Sequence, residues 1–414
     1  MLQGLRRLLA GFALLLVCSL LGWAPRAEAG VANAPGANLE VALITYGPGD
    51  TYWERFGHDA IELRDTVSGE SATFNYGVFD FDEKGFLLHF ARGRMHYMMD
   101  AAPTDVDEQY YVSVGRSVTR QRLAFTPAQA ADLRDFLLWN LRPENVRYDY
   151  DYYADNCATR VRDALDKALG GALKQQLTSR PASMTFRQQT ARLMRQQAWL
   201  MLILDLGLGP YADQPLNAWQ ESFLPMVLQR EIAHVTVPGA NGAPRPLVIE
   251  KQLLSPNRLI PPPDEAPDLR LPLGLAGLAF AVFLVMTRKL APAVYALAGS
   301  LYLVLAGLVG VALLVLWTLT THHSAWANAN LLLFNPAAFF LLPALWRSRR
   351  GVAPSRRIEV LLVLQLLATL AAILLHLLPG VVQQNQPWLL FALPCWVALA
   401  WCLRNGQPRR VAAA

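Results

Sequence analysis

The sequence predicts an α+β domain followed by an all-α membrane bundle, with a proline-rich linker between them. Three observations lead there. Strand-like alternation and capped helical segments share residues 30–254, and long apolar runs fill the chain beyond residue 268. The charge also changes sign between the halves. Residues 30–268 hold 23 Lys and Arg against 30 Asp and Glu, a net −7, whereas residues 269–414 hold 11 against the single acid Glu359, a net +10. The overall charge of +5 therefore comes from cations between apolar runs. That is a membrane pattern and gives no argument for nucleic acid.

Residues 1–29 read as an export signal. Arg6 and Arg7 precede the apolar run "LLAGFALLLVCSLLGWA", and "AEA" (Ala27–Ala29) supplies a small-residue cleavage site. An uncleaved N-terminal anchor is the alternative. Beyond it, "LEVALITYG" (Leu39–Gly47) alternates like a strand, as does "HDAIELRD" (His58–Asp65), which turns through "TVSGES" into "ATFNYGVFDF" (Ala72–Phe81). "YYVSVGRSVTRQRLAF" (Tyr110–Phe125) reads as one or two further strands. Thr126 caps a helix with Pro127 at its first position. A second helix follows Cys157, with Val161, Ala164, Leu165 and Ala168 on one face and Gly170–Gly171 as its stop. A longer one starts near Thr185 and runs into "AWLMLILDLGLG" (Ala198–Gly209), too short to cross a bilayer but suited to the interface or to docking on the bundle. "HVTVPGANGAPRPLVIE" (His234–Glu250) predicts a closing hairpin, and residues 255–268 form the proline-rich linker.

The membrane domain, residues 269–406, contains five candidate spans: 271–287, 290–319, 331–346, 358–379 and 387–403. Arg288–Lys289, "RSRRGVAPSRR" (Arg347–Arg357) and "RNGQPRR" (Arg404–Arg410) carry the cations, while "THHSAWANAN" (Thr321–Asn330) and "PGVVQQNQP" (Pro379–Pro387) carry no Lys or Arg. Basic loops stay inside. The pattern thus predicts an inner-membrane protein with residues 30–254 periplasmic and the tail 407–414 cytoplasmic.

That topology isolates one cysteine. Cys18 falls in the signal and Cys395 and Cys402 in the last span, which leaves Cys157 alone in an oxidising compartment. Asp155 or Asn156 is a candidate helix N-cap, which places Cys157 in the first turn, where the helix dipole favours a thiolate and free N–H groups favour an oxyanion. His58, after Gly57 at the head of a strand, is the candidate base. The alternative for Cys157 is a buried small hydrophobe. Arg94 and Arg160 read first as surface or salt-bridge residues, with holding a lipid phosphate as the alternative. His323 and Asn330 lie in a loop expected to face the Cys157 compartment, where they line a substrate path or only stabilise the bundle. No HExxH, CxxC, P-loop or GxSxG pattern is present, so no metal or other cofactor is expected.

"FGHDAIELRD" with "NYGVFDF", then "RPENVRYDYDYYADNCATRVRDAL", resembles the N-terminal periplasmic domain of the Lnb-type lipoprotein N-acyltransferases, and the five-span tail with "HHSAWANANLLLFNP" resembles the same family's membrane half. The resemblance implies a circularly permuted papain-like, NlpC-type fold in which His precedes Cys. It implies Cys157 as nucleophile and His58 as base, with Asn75 orienting the imidazole and Asn156 as the alternative for that third role. The implied reaction moves an acyl chain from a membrane phospholipid, through a Cys157 thioester, to the N-terminal amine of a lipoprotein. Two other readings remain open: a membrane-tethered thiol hydrolase, and a noncatalytic lipid- or lipoprotein-binding protein.

Overall fold

The computed structural model describes residues 30–79, 85–239, 241–380 and 383–405. The signal-like segment 1–29 and the tail 407–414 lie outside the described residues. Two compact units divide the chain, and neither is continuous in sequence. One comprises the chain up to His89, Arg94–Ser183 and Leu216–Pro262; the other comprises Phe90–Gly93, Met184–Pro215 and the chain from Pro263 onward.

The first unit is built on a seven-stranded antiparallel sheet. Its strands are β1 (Leu39–Tyr46), β2 (His58–Asp65), β3 (Ser71–Phe79), β4 (Met95–Pro103), β5 (Val118–Leu123), β6 (Arg147–Tyr150) and, after a short hairpin of β7 (Thr236–Pro238) with β8 (Pro244–Pro246), β9 (Val248–Ser255). The spatial order is β6-β4-β3-β2-β1-β5-β9. The expected closing hairpin is therefore only part of the outcome, because residues 248–255 leave it to pair with β5 at the edge of the main sheet.

Three helices of this unit matter for the site: α1 (Thr104–Ser113), α2 (Pro127–Asn140) and α3 (Cys157–Ala168). Period-two alternation sends side chains to opposite faces. On one face Val41, Leu43, Ile61, Leu63, Phe74 and Tyr76 pack with Leu133 and Leu137 of α2 and Val161 and Leu165 of α3. On the other, Ile44, Tyr46, Ala60 and Val118 pack with Tyr111 of α1. The strand expected from Tyr110 onward begins only at Val118, since Tyr110–Ser113 ends α1. The reason is spacing: one helical turn aligns Asp107 with Tyr111 on the face toward the sheet, where Tyr111 stacks on Tyr46 with ring centroids 3.6 Å apart. Thr126 caps α2 as the sequence predicts, and the helix expected near Thr185 starts there; each start carries a capping box.

The second unit contains α4 (Phe186–Met194) and α5 (Ala198–Gly207), two helices where one was expected, then α6 (Arg270–Leu290), α7 (Pro292–Leu319), α8 (Leu342–Ser348), α9 (Arg356–Leu375) and α10 (Gln386–Arg404). Among the described residues, five segments are long and apolar enough to cross a membrane, the third being Ala329–Ser348. That third span is not one continuous α-helix: short 3-10 turns lead into α8, with Asn335 and Pro336 opening the second of them. Arg288 donates to the carbonyls of Ser348 at 2.7 Å and Cys402 at 3.3 Å, so the three chain ends near the cationic loops converge.

The apolar helix α5 docks on this bundle through Leu202 and Leu206. Its C-terminal carbonyls, which no helix can satisfy internally, accept from Asn328 Nδ2 (Leu206, Gly207 and Leu208, 3.0–3.1 Å) and from Asn330 Nδ2 (Leu206, 2.9 Å). Arg187 of α4 pairs with Asp213 at 2.8 and 2.9 Å and with Asp205 at 3.1 Å, and Trp388 donates to the second Asp205 oxygen at 2.7 Å. Every charge in this buried group has a partner. Removing one partner leaves the others uncompensated, so Arg187→Ala is expected to destabilise the chain by about 3–5 kcal/mol, read as earlier unfolding and faster proteolysis of the detergent-solubilised protein.

Candidate active site

The run "YDYDYYADNC" resolves into three local devices. Residues 147–150 form β6, the edge strand beside β4. Asp151 then accepts from the backbone N–H groups of Tyr153 (2.9 Å) and Ala154 (2.8 Å), an Asx-type turn that reverses the chain. Asn156 is the N-cap of α3: its Oδ1 accepts from Thr159 N at 3.0 Å, and Thr159 Oγ1 accepts from Asn156 N at 2.7 Å. Asn156 Nδ2 donates to the carbonyls of Tyr152 and Phe223. With its amide carbonyl and both amide hydrogens engaged, Asn156 is committed to the cap and not to an imidazole. Asp155 is not the cap; it pairs through both oxygens with Arg160 at 2.6 and 2.7 Å. Arg160 also lies over the Tyr148 ring at 3.8 Å, so this guanidinium is already occupied.

The cap sets Cys157 at the first position of α3, half-buried. Gly77 of β3 lies against it. A Cβ there would stand 3.5 Å from Cys157 Cβ and 3.9 Å from Tyr148 Oη, and the glycine holds φ at 94° where the β3–β4 register shifts. The sulfur is favoured as thiolate by the backbone N–H groups of Asp59 and Ala158. The first of these belongs to the residue following His58. The thiol and the strand head that bears the imidazole thus occupy one corner of the sheet.

His58 Nε2 is 2.9 Å from Asn75 Oδ1, and Asn75 Nδ2 donates to Asp107 Oδ2 at 2.7 Å. The second bond decides the first. A carboxylate only accepts, so the Asn75 amide turns its NH2 to Asp107 and its carbonyl to His58. His58 Nε2 must then carry the hydrogen, which leaves Nδ1 with the lone pair. Thr73 Oγ1 donates to the same Asp107 oxygen at 2.9 Å, and Tyr46 Oη at 3.4 Å. The rings of Tyr46 and Tyr111 lie near-parallel to the imidazole, each 6.0 Å away.

Burial dominates the electrostatics. It pushes the Cys157 thiol up to about 12, with the Asp59 carboxyl adding to the rise and the two backbone N–H groups opposing it. It pushes His58 down to about 4, against the hydrogen bond that His58 donates to Asn75. The resting pair is neutral thiol and neutral imidazole. Burial thus opposes the thiolate that the helix start favours. Asp59 is raised to about 7 by burial, with its bond from Thr45 opposing.

Of the other residues singled out in the sequence, Arg94 is exposed. His323 and Asn330 belong to the second unit: His323 is exposed with Nδ1 2.7 Å from the Thr321 carbonyl, and Asn330 is buried, bonded to Leu206 and Asn385. His96 pairs with Asp149 across β4 and β6 at 3.3 Å. Asp107 and Asp59 escaped the sequence reading. The dipeptide His58–Asp59 at a strand head was the available signal for the second, since alternation must separate the two side chains.

These features define a multi-span membrane protein that carries a mixed α/β domain with a thiol and an oriented imidazole at one corner of its sheet. Residues 27–194 match the family model of the Lnb N-terminal periplasmic domain, and residues 269–404 match that of the Lnb transmembrane domain. The chain belongs to the Lnb family, with its N-terminal domain periplasmic. No curated protein and no solved structure matches it.

The neutral resting pair has a direct chemical readout. At pH 7.5, alkylation of Cys157 in the folded protein is expected to be slower than in the unfolded chain by on the order of 10²-fold or more. The rate should keep climbing with pH beyond the range of an ordinary thiol. Peptide mass spectrometry, which separates Cys157 from Cys395 and Cys402, measures it.

Proposed function

We propose that this chain is a thiol-dependent acyltransferase of the inner membrane, with its C-terminus cytoplasmic and its periplasmic fold a permuted papain-like one. It moves an acyl chain from a phospholipid to the N-terminal amine of a lipoprotein. The observation that carries the reading is the Asp107–Asn75–His58 chain of hydrogen bonds, which leaves Nδ1 as the basic nitrogen at the strand head beside the Cys157 thiol. Membership of the Lnb family supports a lipoprotein-related role.

In the first half-reaction the Cys157 proton passes to His58 as sulfur attacks the ester carbonyl. The Asp59 and Ala158 N–H groups receive developing negative charge, and the proton then moves to the departing lysophospholipid oxygen. Burial pushes the thiol up, which favours a base taking its proton during attack, that is, general-base catalysis by His58. The acyl thioester is then aminolysed and the thiol restored. A lipid-anchored donor and a lipid-anchored acceptor account for a thiol domain carried on five spans.

The test is expression of wild type and Cys157→Ala in a bacterium lacking other N-acylation, followed by mass spectrometry of lipoprotein N-termini. Wild type should restore N-acylation and Cys157→Ala should abolish both it and hydroxylamine-sensitive acylation of the enzyme. Persistence in Cys157→Ala removes the thiol mechanism, and release of free fatty acid without N-acylation by well-expressed wild type identifies a hydrolase. His58→Ala should slow acyl-enzyme formation by ~10²–10⁴-fold in single-turnover assays with the domain still folded.

A further inference from the structure

Asp59 takes no part in orienting His58. Strand alternation turns it to the opposite face of β2, the face on which α3 packs. It has no exposed surface. Its Oδ1 accepts from Thr45 Oγ1 at 2.7 Å, whereas Oδ2 is buried and has no hydrogen-bond partner among the described residues. The same residue acts on the Cys157 thiol twice, since its backbone N–H favours the thiolate and its carboxyl charge opposes it. Thr45 faces it from β1 and Cys157 from α3; on β3 the register places Tyr76 beside it, with that hydroxyl turned to Asn140. The cation whose field reaches the thiol is Arg116.

A buried carboxylate oxygen without a donor is a cost to the fold unless a ligand supplies the donor. The proposed acceptor brings one. An N-terminal α-amine has a pKa of about 7.7–8.0, so at neutral pH it arrives mainly as an ammonium, which cannot attack a thioester. His58 is committed to the second N–H proton, which it hands to the leaving sulfur, so another group must take the first. Asp59, raised to about 7, is matched to it.

Building on the acyl-transfer reading above, we propose that Asp59 is the acceptor-amine residue: its unpartnered Oδ2 binds the incoming ammonium beside the Cys157 thioester and takes one proton from it. The freed amine nitrogen then attacks the thioester carbonyl carbon. A C–N bond forms, the C–S bond breaks, and the second N–H proton passes through His58 to the leaving sulfur. The products are the amide, the Cys157 thiol and protonated Asp59, which returns its proton to solvent. Water carries no positive charge to such a site, so the arrangement favours aminolysis over hydrolysis.

The experiment compares full-length wild type with Asp59→Asn in phospholipid–detergent micelles, using a synthetic diacylglyceryl-cysteinyl peptide as the amine. Asp59→Asn should form the Cys157 thioester within about threefold of wild type and transfer it to the peptide about tenfold or more slowly at pH 7. The deficit should close by about pH 9, where the amine is already neutral. Transfer at the wild-type rate across that range, or a deficit equal at every pH, overturns the proposal. Loss of thioester formation in Asp59→Asn alone also overturns it, because Asp59 then serves the first half-reaction. Absence of the thioester in wild type overturns the acyl-transfer reading and this one with it. A melt controls for folding. A carboxyl raised above its unfolded value contributes its stability below about pH 4 and loses it as pH rises through about 7, so Asp59→Asn should melt higher than wild type at pH 8.

Discussion

The hydrogen bond from Asn75 Nδ2 to Asp107 is the constraint on which the site depends. It fixes which end of the amide faces His58, hence which imidazole nitrogen carries the hydrogen and which is left basic. Asp107 is itself held by Thr73 and Tyr46, and its helix is held to the sheet by the stacked pair Tyr46–Tyr111. Burial strengthens each bond in such a chain and makes each missing one expensive. The folding of residues 104–113 as helix is therefore part of the chemistry, because a strand there would not align Asp107 and Tyr111 on one face.

A single strand head serves two faces of the sheet. His58 turns toward α1, Asp59 turns toward α3, and the Cys157 sulfur sits at the strand end, where the Asp59 N–H reaches it. Magnitudes decide the resting state there. A helix start stabilises a nearby anion by up to about 2 kcal/mol, whereas a thiol moved from 9 to about 12 is worth about 4 kcal/mol in the other direction. Burial wins, and the thiol stays protonated until a base acts on it. In an oxidising compartment a protonated, half-buried cysteine with no cysteine partner is also protected from adventitious oxidation.

Much of this was legible in the chain, for physical reasons. The cap before Cys157, the stop at Gly170–Gly171 and the Thr126 cap are local devices written within a few residues of where they act. The spans were legible because apolar length and loop charge are compositional. Asp107 was not, since "TDVDEQYYVS" is a short run with aromatic residues at its end and its helical state is settled by packing on the sheet. Nor was the assignment of residues 184–215 to the helical unit: Arg187 finds Asp205 and Asp213 nearby in sequence, but Asp205 is completed by Trp388, 183 residues away. Asn330 reads from the sequence either as lining a substrate path or as stabilising the bundle, and its place at the end of α5 appears only when distant carbonyls are set beside it.

The contrast between the two buried acidic groups separates structure from chemistry. In the helical unit Asp205 and Asp213 are saturated by Arg187, Trp388 and the Gln384 backbone N–H. A saturated network specifies one arrangement and has no capacity left for a ligand. Asp59 keeps the one buried carboxylate oxygen that lacks a hydrogen-bond partner among the described residues, and it keeps it next to the Cys157 thiol. An Asn at that position would keep the Thr45 bond and remove the charge penalty, so stability alone gives no reason for an aspartate there. What the aspartate adds is an unfilled place for a hydrogen-bond donor, and under the proposed reaction an ammonium would supply both the hydrogen and the charge.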